Sequence, residues 1–171
     1  MTNKSFRIGI KSLDDIFSNI LLPRTLIIVK GDTGTGKTIL ASTICYANAV
    51  EGHKCLYISS IEDKARVYKK MKVLGMDFEE IEKKGLIQFY KLPIAVKRDT
   101  LVKIAIDIHS LISKYNPSIV VLDSPTPLMR LIQDKASGRD VLEDLLNELL
   151  GGGGKWISGT RNGYGCPPWI F

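Results

Sequence analysis

The chain has 171 residues, enough for one well-buried domain and short for two. Hydrophobic residues make up 44% and charged ones 25%, an ordinary globular balance, and the longest apolar runs are strand-sized, which excludes a helix long enough to span a bilayer. The net charge of +6 permits an anionic partner but does not single out nucleic acid, because the lysines are spread over helix-forming stretches.

The N-terminal "MTNKSFRIGIKSLDD" lacks the apolar core of a secretory signal, so a cytoplasmic location is expected. "TLIIVKG" (25–31) is a continuous β-rich run ending in glycine, the pattern of a strand buried on both faces. Residues 37 to 50 are rich in Ala, Ile and Leu and stop before Gly52, which predicts a helix. "KCLYIS" (54–59) reads as a second strand. A charged amphipathic helix over 63–74 closes at Gly75, and a short one in "DFEEIEKKG" closes at Gly85.

"LIQFYKL" (86–92) is a third strand. From 100 to 115, Leu101, Ile104, Ala105, Ile108, Leu111 and Ile112 recur at helical spacing, and Asn116–Pro117 stops that helix. "SIVVLD" (118–123) is the clearest strand. Residues 139–150 carry a leucine-rich helical face. Strands alternating with helices predict an α/β fold, a mostly parallel sheet with helices on both faces and right-handed crossovers. The whole chain reads as one domain. Residues 151–171, crowded with Gly, Pro and Trp, break the rhythm; a short strand over 155–158 fits a natural ending, while truncation or a frame shift competes with it.

Cys45, Cys55 and Cys166 are odd in number and lack CxxC spacing, so buried or incidental thiols are expected rather than a disulfide framework or zinc site. His53 and His109 are too far apart to suggest a metal pair.

The chemistry lies in Gly31-Asp32-Thr33-Gly34-Thr35-Gly36-Lys37-Thr38, an ungapped G-x-x-x-x-G-K-[ST]. It follows a predicted buried strand and opens a predicted helix. Glycines let successive backbone N–H groups turn inward around a phosphate, and the helix N-terminus adds partial positive charge. Lys37 is placed to reach the β- and γ-phosphates, and the Thr38 hydroxyl to join a Mg²⁺ shell. Asp123, ending "SIVVLD", is the acidic partner that such a site needs for the metal.

Four stretches together resemble a known family: "GIKSLDDIF" (9–17) before the loop, the loop itself, "YISSIEDKARVYKKMKVLGMDFEE" (57–80), and "VVLDSPTPL" (120–128). They are similar to the RecA superfamily and, within it, to the KaiC-like ATPase domains common in archaea, over roughly residues 7 to 150. The resemblance implies a three-layer RecA-like core, ATP and Mg²⁺ as ligands, and a ring or filament of copies with nucleotide between subunits. Gly31, Asp32, Thr33, Gly34, Thr35, Gly36, Lys37 and Thr38 would hold the nucleotide, Thr38 and Asp123 the metal. Lys37 and Glu62 are the candidate catalytic residues.

One departure matters. The family usually carries two adjacent glutamates after the second strand, and here the pair reads Ile61-Glu62. Three functions therefore stand side by side: a slow Mg²⁺-dependent ATPase whose nucleotide state controls assembly or partner binding, a nucleotide-gated scaffold without turnover, and a recombinase paralogue that binds DNA. For the last, the stretch "SPTPLMRLIQDKASGR" (124–139) after Asp123 offers only Arg130, Lys135 and Arg139 as basic residues and no aromatic residue to stack on a base.

Overall fold

The structure is a computed structural model that describes residues 6–17, 27, 29–93 and 98–126. In chain order it contains α1 (Lys11–Phe17), α2 (Lys37–Val50), β1 (Cys55–Ser59), α3 (Lys64–Val73), α4 (Phe78–Lys83), β2 (Ile87–Lys91), α5 (Arg98–Tyr115) and β3 (Ile119–Asp123). The strands form a parallel sheet in the order β2-β1-β3. Tyr57 stands opposite Phe89 on one side and Val121 on the other.

Alternation along β1 divides the core into two layers. Cys55 and Tyr57 face a cluster built from Ala41, Cys45 and Ala49 of α2, Val67 and Met71 of α3, and Phe78 and Ile81 of α4. Leu56 and Ile58 face the opposite layer, where Ile104 and Ile108 of α5 are buried and Leu111 and Ile112 pack against them. Every residue of β1 is buried, which is why its sequence reads as a continuous apolar run. Phe78 is the hub of the first layer: its ring centroid lies 5.5 to 6.1 Å from those of Tyr46, Tyr57 and Tyr68. Aromatic pairs at such separations contribute roughly 0.5–1.5 kcal/mol each beyond area burial.

The direction of α2 follows from its contacts with β1. Cys45 meets Cys55, and Ser42, three residues earlier, meets Tyr57, two residues later. The helix therefore runs antiparallel to the strand, and its first turn lies at the C-terminal end of the sheet.

The segment before α1 is clamped to the same helix. Buried Asn48 accepts a hydrogen bond from the Arg7 amide (2.9 Å), while its side-chain amide donates to the carbonyls of Arg7 and Ile44 (2.6 and 2.7 Å). Asp14 Oδ1 accepts from the Ile8 amide at 2.6 Å. Gly9 has φ +85°, and a Cβ there would lie 2.6 Å from Ala47 Cβ, so the chain crosses α2 too closely for any side chain. The Gly-Ile-x-x-Leu-Asp pattern is thus a docking device for α2.

The three predicted strands over 54–59, 86–92 and 118–123 are present, each shorter by one or two residues, and the helices predicted over 37–50, 63–74 and 100–115 and within "DFEEIEKKG" (77–85) are all found. Helix α1 was not predicted. Of the first predicted strand, residues 27 and 29–31 have no strand assigned, and residues 25, 26 and 28 lie outside the described set, as do the helix over 139–150 and the stretch 151–171.

The thiol reading needs correction. Cys45 and Cys55 form a disulfide across a Cα–Cα distance of 5.9 Å. They are ten residues apart, and the helix–turn–strand return that juxtaposes them leaves no spacing signature in the sequence. Cys166 lies outside the described residues.

Gly9→Ala is expected to destabilise the fold by about 2 kcal/mol or more, through the left-handed backbone and the overlap with Ala47. Urea unfolding checks this: the midpoint should fall with the slope unchanged.

Candidate functional site

The Gly31–Thr38 loop is described in full. Gly34 and Gly36 take φ +86° and +88°, a left-handed conformation that side chains resist, and a Cβ at Gly31 would meet Thr35 Oγ1 at 2.5 Å. A Cβ on Gly34 or Gly36 would meet nothing within 4 Å, so conformation rather than crowding demands glycine at those two positions. The Thr35 hydroxyl donates to the Asp32 carbonyl at 2.8 Å and closes the turn. Gly36 is the N-cap of α2 and brings no side-chain cap, which leaves the helix's first N–H groups facing outward. Lys37 folds back over the loop, its Nζ donating to the carbonyls of Gly31 (2.8 Å) and Asp32 (2.6 Å). Thr38 is half-buried in the next position of the first turn.

Asp123 ends β3 opposite Ser59, the last residue of β1. Its backbone carbonyl accepts from the Ser60 amide at 2.9 Å. The Ser60 hydroxyl donates to the Ser124 carbonyl (2.6 Å) and accepts from the Ser124 amide (3.1 Å), which ties the turn after β3 to the end of β1. The Asp123–Ser124 peptide is cis. Oδ2 of Asp123 accepts from the Tyr57 hydroxyl at 3.0 Å, and that hydroxyl lies 3.2 Å from Ser42 Oγ on α2.

From Ser42 back to Thr38 is four residues of helix, about 6 Å of rise. From Tyr57 to Ser59 is two residues of strand, about 6.6 Å. The loop and Asp123 therefore meet at the carboxyl ends of the strands, where open α/β sheets take their ligands. Burial, and then the charge of Asp123, push the Tyr57 hydroxyl far above the ordinary tyrosine range, so it stays protonated.

Glu62 follows β1 at the same end of the sheet. Its amide bonds Ser59 Oγ at 3.1 Å, and Ser59 Oγ donates to the Glu62 carbonyl at 2.7 Å. Its carboxylate turns toward α3: Oε1 is ion-paired with Lys70 Nζ. Oε2 is buried and has no hydrogen-bond partner among the described residues. Ile61, at the position of the family's first glutamate, is 64% exposed.

A glycine-rich loop opening a helix at the C-terminal end of a parallel sheet, with an aspartate at a neighbouring strand's end, defines a P-loop nucleotide-binding domain of RecA-like architecture. The family described as "ATPase: KaiC" matches residues 6–154, and the chain belongs to it. It is 30% identical over 129 residues to the circadian clock oscillator protein KaiC of Thermostichus vulcanus, covering 75% of this chain and 24% of that protein. It is 29% identical over 136 residues to the KaiC of Rippkaea orientalis, covering 79% and 26%. With the circadian clock protein KaiC2 of Synechocystis it shares 32% over 132 residues, covering 72% and 21%. The chain thus spans about a quarter of the length of these relatives. They are cyanobacterial, so the archaeal setting attached to the resemblance finds no support among them. Membership makes this an ATP-binding RecA-superfamily domain of the KaiC type. No helix among the described residues is long and apolar enough to cross a membrane.

Three residues of the site were not singled out in the sequence: Tyr57, Ser42 and Lys70. The signal for Tyr57 was legible, since a phenol in a strand buried on both faces must find a partner for its hydroxyl.

Because the folded chain keeps the Tyr57 proton after the unfolded chain would release it, this group's contribution is fully present below about pH 10 and declines as pH rises further. At about pH 11 the parent and Tyr57→Phe should show equal tyrosinate absorbance. Excess absorbance in the parent at that pH would mean a hydroxyl open to solvent.

Proposed function

We propose that the chain binds ATP with Mg²⁺ through the Gly31–Thr38 loop and hydrolyses it slowly, its nucleotide state controlling assembly with copies of itself or with a protein partner. The observation that carries this is the loop itself: left-handed glycines expose backbone N–H groups at the start of α2, and Lys37 lies over them. The donors fit both ligands. Amides and an ammonium suit a triphosphate, while a hydroxyl (Thr38) and a carboxylate (Asp123) suit a hard divalent cation. ATP, when bound, supplies the phosphoryl group that water attacks.

Gly31, Asp32, Thr33, Gly34, Thr35 and Gly36 shape the cradle. Lys37 places positive charge on the outer phosphates, where charge develops in phosphoryl transfer. Thr38 and Asp123 hold the metal. Glu62 is the candidate base, and its pairing with Lys70 is the reason for slow turnover. A base must come within hydrogen-bond reach of its water, and a displacement of about 1 Å costs roughly 100-fold.

A second reading has its own observation. With Ile61 where a glutamate is usual and Glu62 engaged by Lys70, ATP would act as a structural ligand of a nucleotide-gated scaffold.

Calorimetric titration with Mg²⁺–ATP, with ADP followed on the same sample, separates the two. Lys37→Ala should abolish binding. Glu62→Gln should leave binding intact and lower turnover by about 100-fold. Lys70→Met should raise turnover several-fold by releasing the carboxylate. Binding with no ADP formation in the parent, and none in Lys70→Met, would establish the scaffold; no binding at all by folded parent would defeat both. Size-exclusion with and without ATP tests assembly, with a larger species expected in its presence.

A further inference from the structure

Tyr57 is the middle residue of the central strand and has no exposed surface. Its ring stacks on Phe89 (centroids 5.7 Å apart, planes 10° apart) and meets Phe78 edge-on. Phenylalanine would fill the same space. The hydroxyl is therefore an addition that packing does not require, and burying it is unfavourable unless it is hydrogen-bonded. It is bonded at both ends, with Ser42 Oγ of the P-loop helix at 3.2 Å and Asp123 Oδ2 of β3 at 3.0 Å.

Bond direction follows from the proton count. A carboxylate only accepts, so the single tyrosyl proton goes to Asp123, and the buried Ser42 hydroxyl must donate to the tyrosyl oxygen. The result is a directed polar bridge from α2, across β1, to the end of β3. It links the helix that carries Lys37 and Thr38 to the carboxylate at the end of β3. Oδ2 of Asp123 is engaged by this bond, and Oδ1 lies outside it.

We propose that Tyr57 is a positioning residue for the divalent cation: its hydroxyl, set by Ser42, holds Asp123 so that the carboxylate meets the metal in a fixed orientation relative to the P-loop. This rests on the ATP–Mg²⁺ reading above. Outer partners of metal-binding side chains typically change metal affinity by about 10- to 100-fold when removed.

The test compares the full-length parent, Tyr57→Phe and Ser42→Ala in ATP affinity with the metal chelated and with saturating Mg²⁺, and in retention of Mn²⁺ by the protein–ATP mixture, read by its paramagnetic resonance spectrum. In Tyr57→Phe the gain in ATP affinity from Mg²⁺ should shrink about tenfold and Mn²⁺ should be released correspondingly, while metal-free ATP affinity stays at the parent value. Ser42→Ala should move the same way by less, because it removes only the group that orients the tyrosyl proton.

An unchanged Mg²⁺ gain in Tyr57→Phe, with only the melting temperature lowered, would make the hydroxyl structural and overturn the proposal. Equal loss of metal-free binding would also overturn it, as general damage to the site. Should Tyr57→Phe fail to fold, Ser42→Ala decides by the same comparison, and an unchanged Mg²⁺ gain there overturns the proposal. A parent that binds ATP but gains nothing from Mg²⁺ sinks this inference alone. A parent that binds no ATP in either condition sinks the nucleotide reading with it.

Discussion

The antiparallel packing of α2 on β1 positions everything else in this structure. A phosphate-binding loop is floppy in isolation: three glycines and three threonines among eight residues have little intrinsic reason to hold one shape. Here the loop is anchored at the helix it opens, and that helix is fixed along its length. Ala41, Cys45 and Ala49 press on the sheet, Cys45 is bonded to Cys55, and Asn48 binds the N-terminal segment on another side. Small residues let the helix approach the strand closely. Since β1 also lies between β2 and β3, fixing α2 to β1 fixes the loop relative to Asp123.

Much of this was legible in the sequence, for reasons that differ by element. β1 and β3 are buried on both faces or nearly so, and such strands write themselves as apolar runs. α5 shows its stripe because one face only is buried. The glycine loop is legible because its left-handed turns at Gly34 and Gly36 strongly favour glycine, so its conformation is written as composition. Residues acting at a distance in sequence left weaker traces. The bond from Tyr57 to Asp123 spans 66 positions, and no local pattern encodes it. α1 is short and buries none of its residues, so it lacks a hydrophobic face to announce it. The Cys45–Cys55 pairing depends on how tightly the turn at Gly52 returns the chain, a geometric rather than compositional property.

Glu62 shows where position in the chain and position in space part. Its alignment with a family glutamate made it a candidate base, and the backbone does place it at the correct end of the sheet, held by Ser59, the residue that pairs with Asp123. Its carboxylate is another matter. A carboxylate beside an ammonium gains Coulomb energy that it must surrender to do anything else, and Glu62 sits beside Lys70 with one buried oxygen that has no partner among the described residues. The ion pair and the buried oxygen pull in opposite directions: an unsatisfied buried acceptor is unfavourable by roughly 1–3 kcal/mol, at least as much as the roughly 0–1 kcal/mol that a half-exposed salt bridge contributes. On that balance the carboxylate is weakly held and easy to redirect.

That balance bears on how a nucleotide could govern this domain. The Asp123 carboxylate is held by a neutral hydrogen bond from the buried central strand, so its orientation changes little with charge nearby. Glu62 is held by a flexible, half-exposed lysine in the last turn of α3, so its orientation is sensitive to any charge arriving at the loop. A triphosphate would repel the Glu62 carboxylate and attract the Lys70 ammonium, acting on the two partners in opposite senses. On the proposed reading, the Asp123 side of the site would stay fixed while the Glu62 side responds, and α3, whose last turn carries Lys70, is the element through which that response would reach the surface.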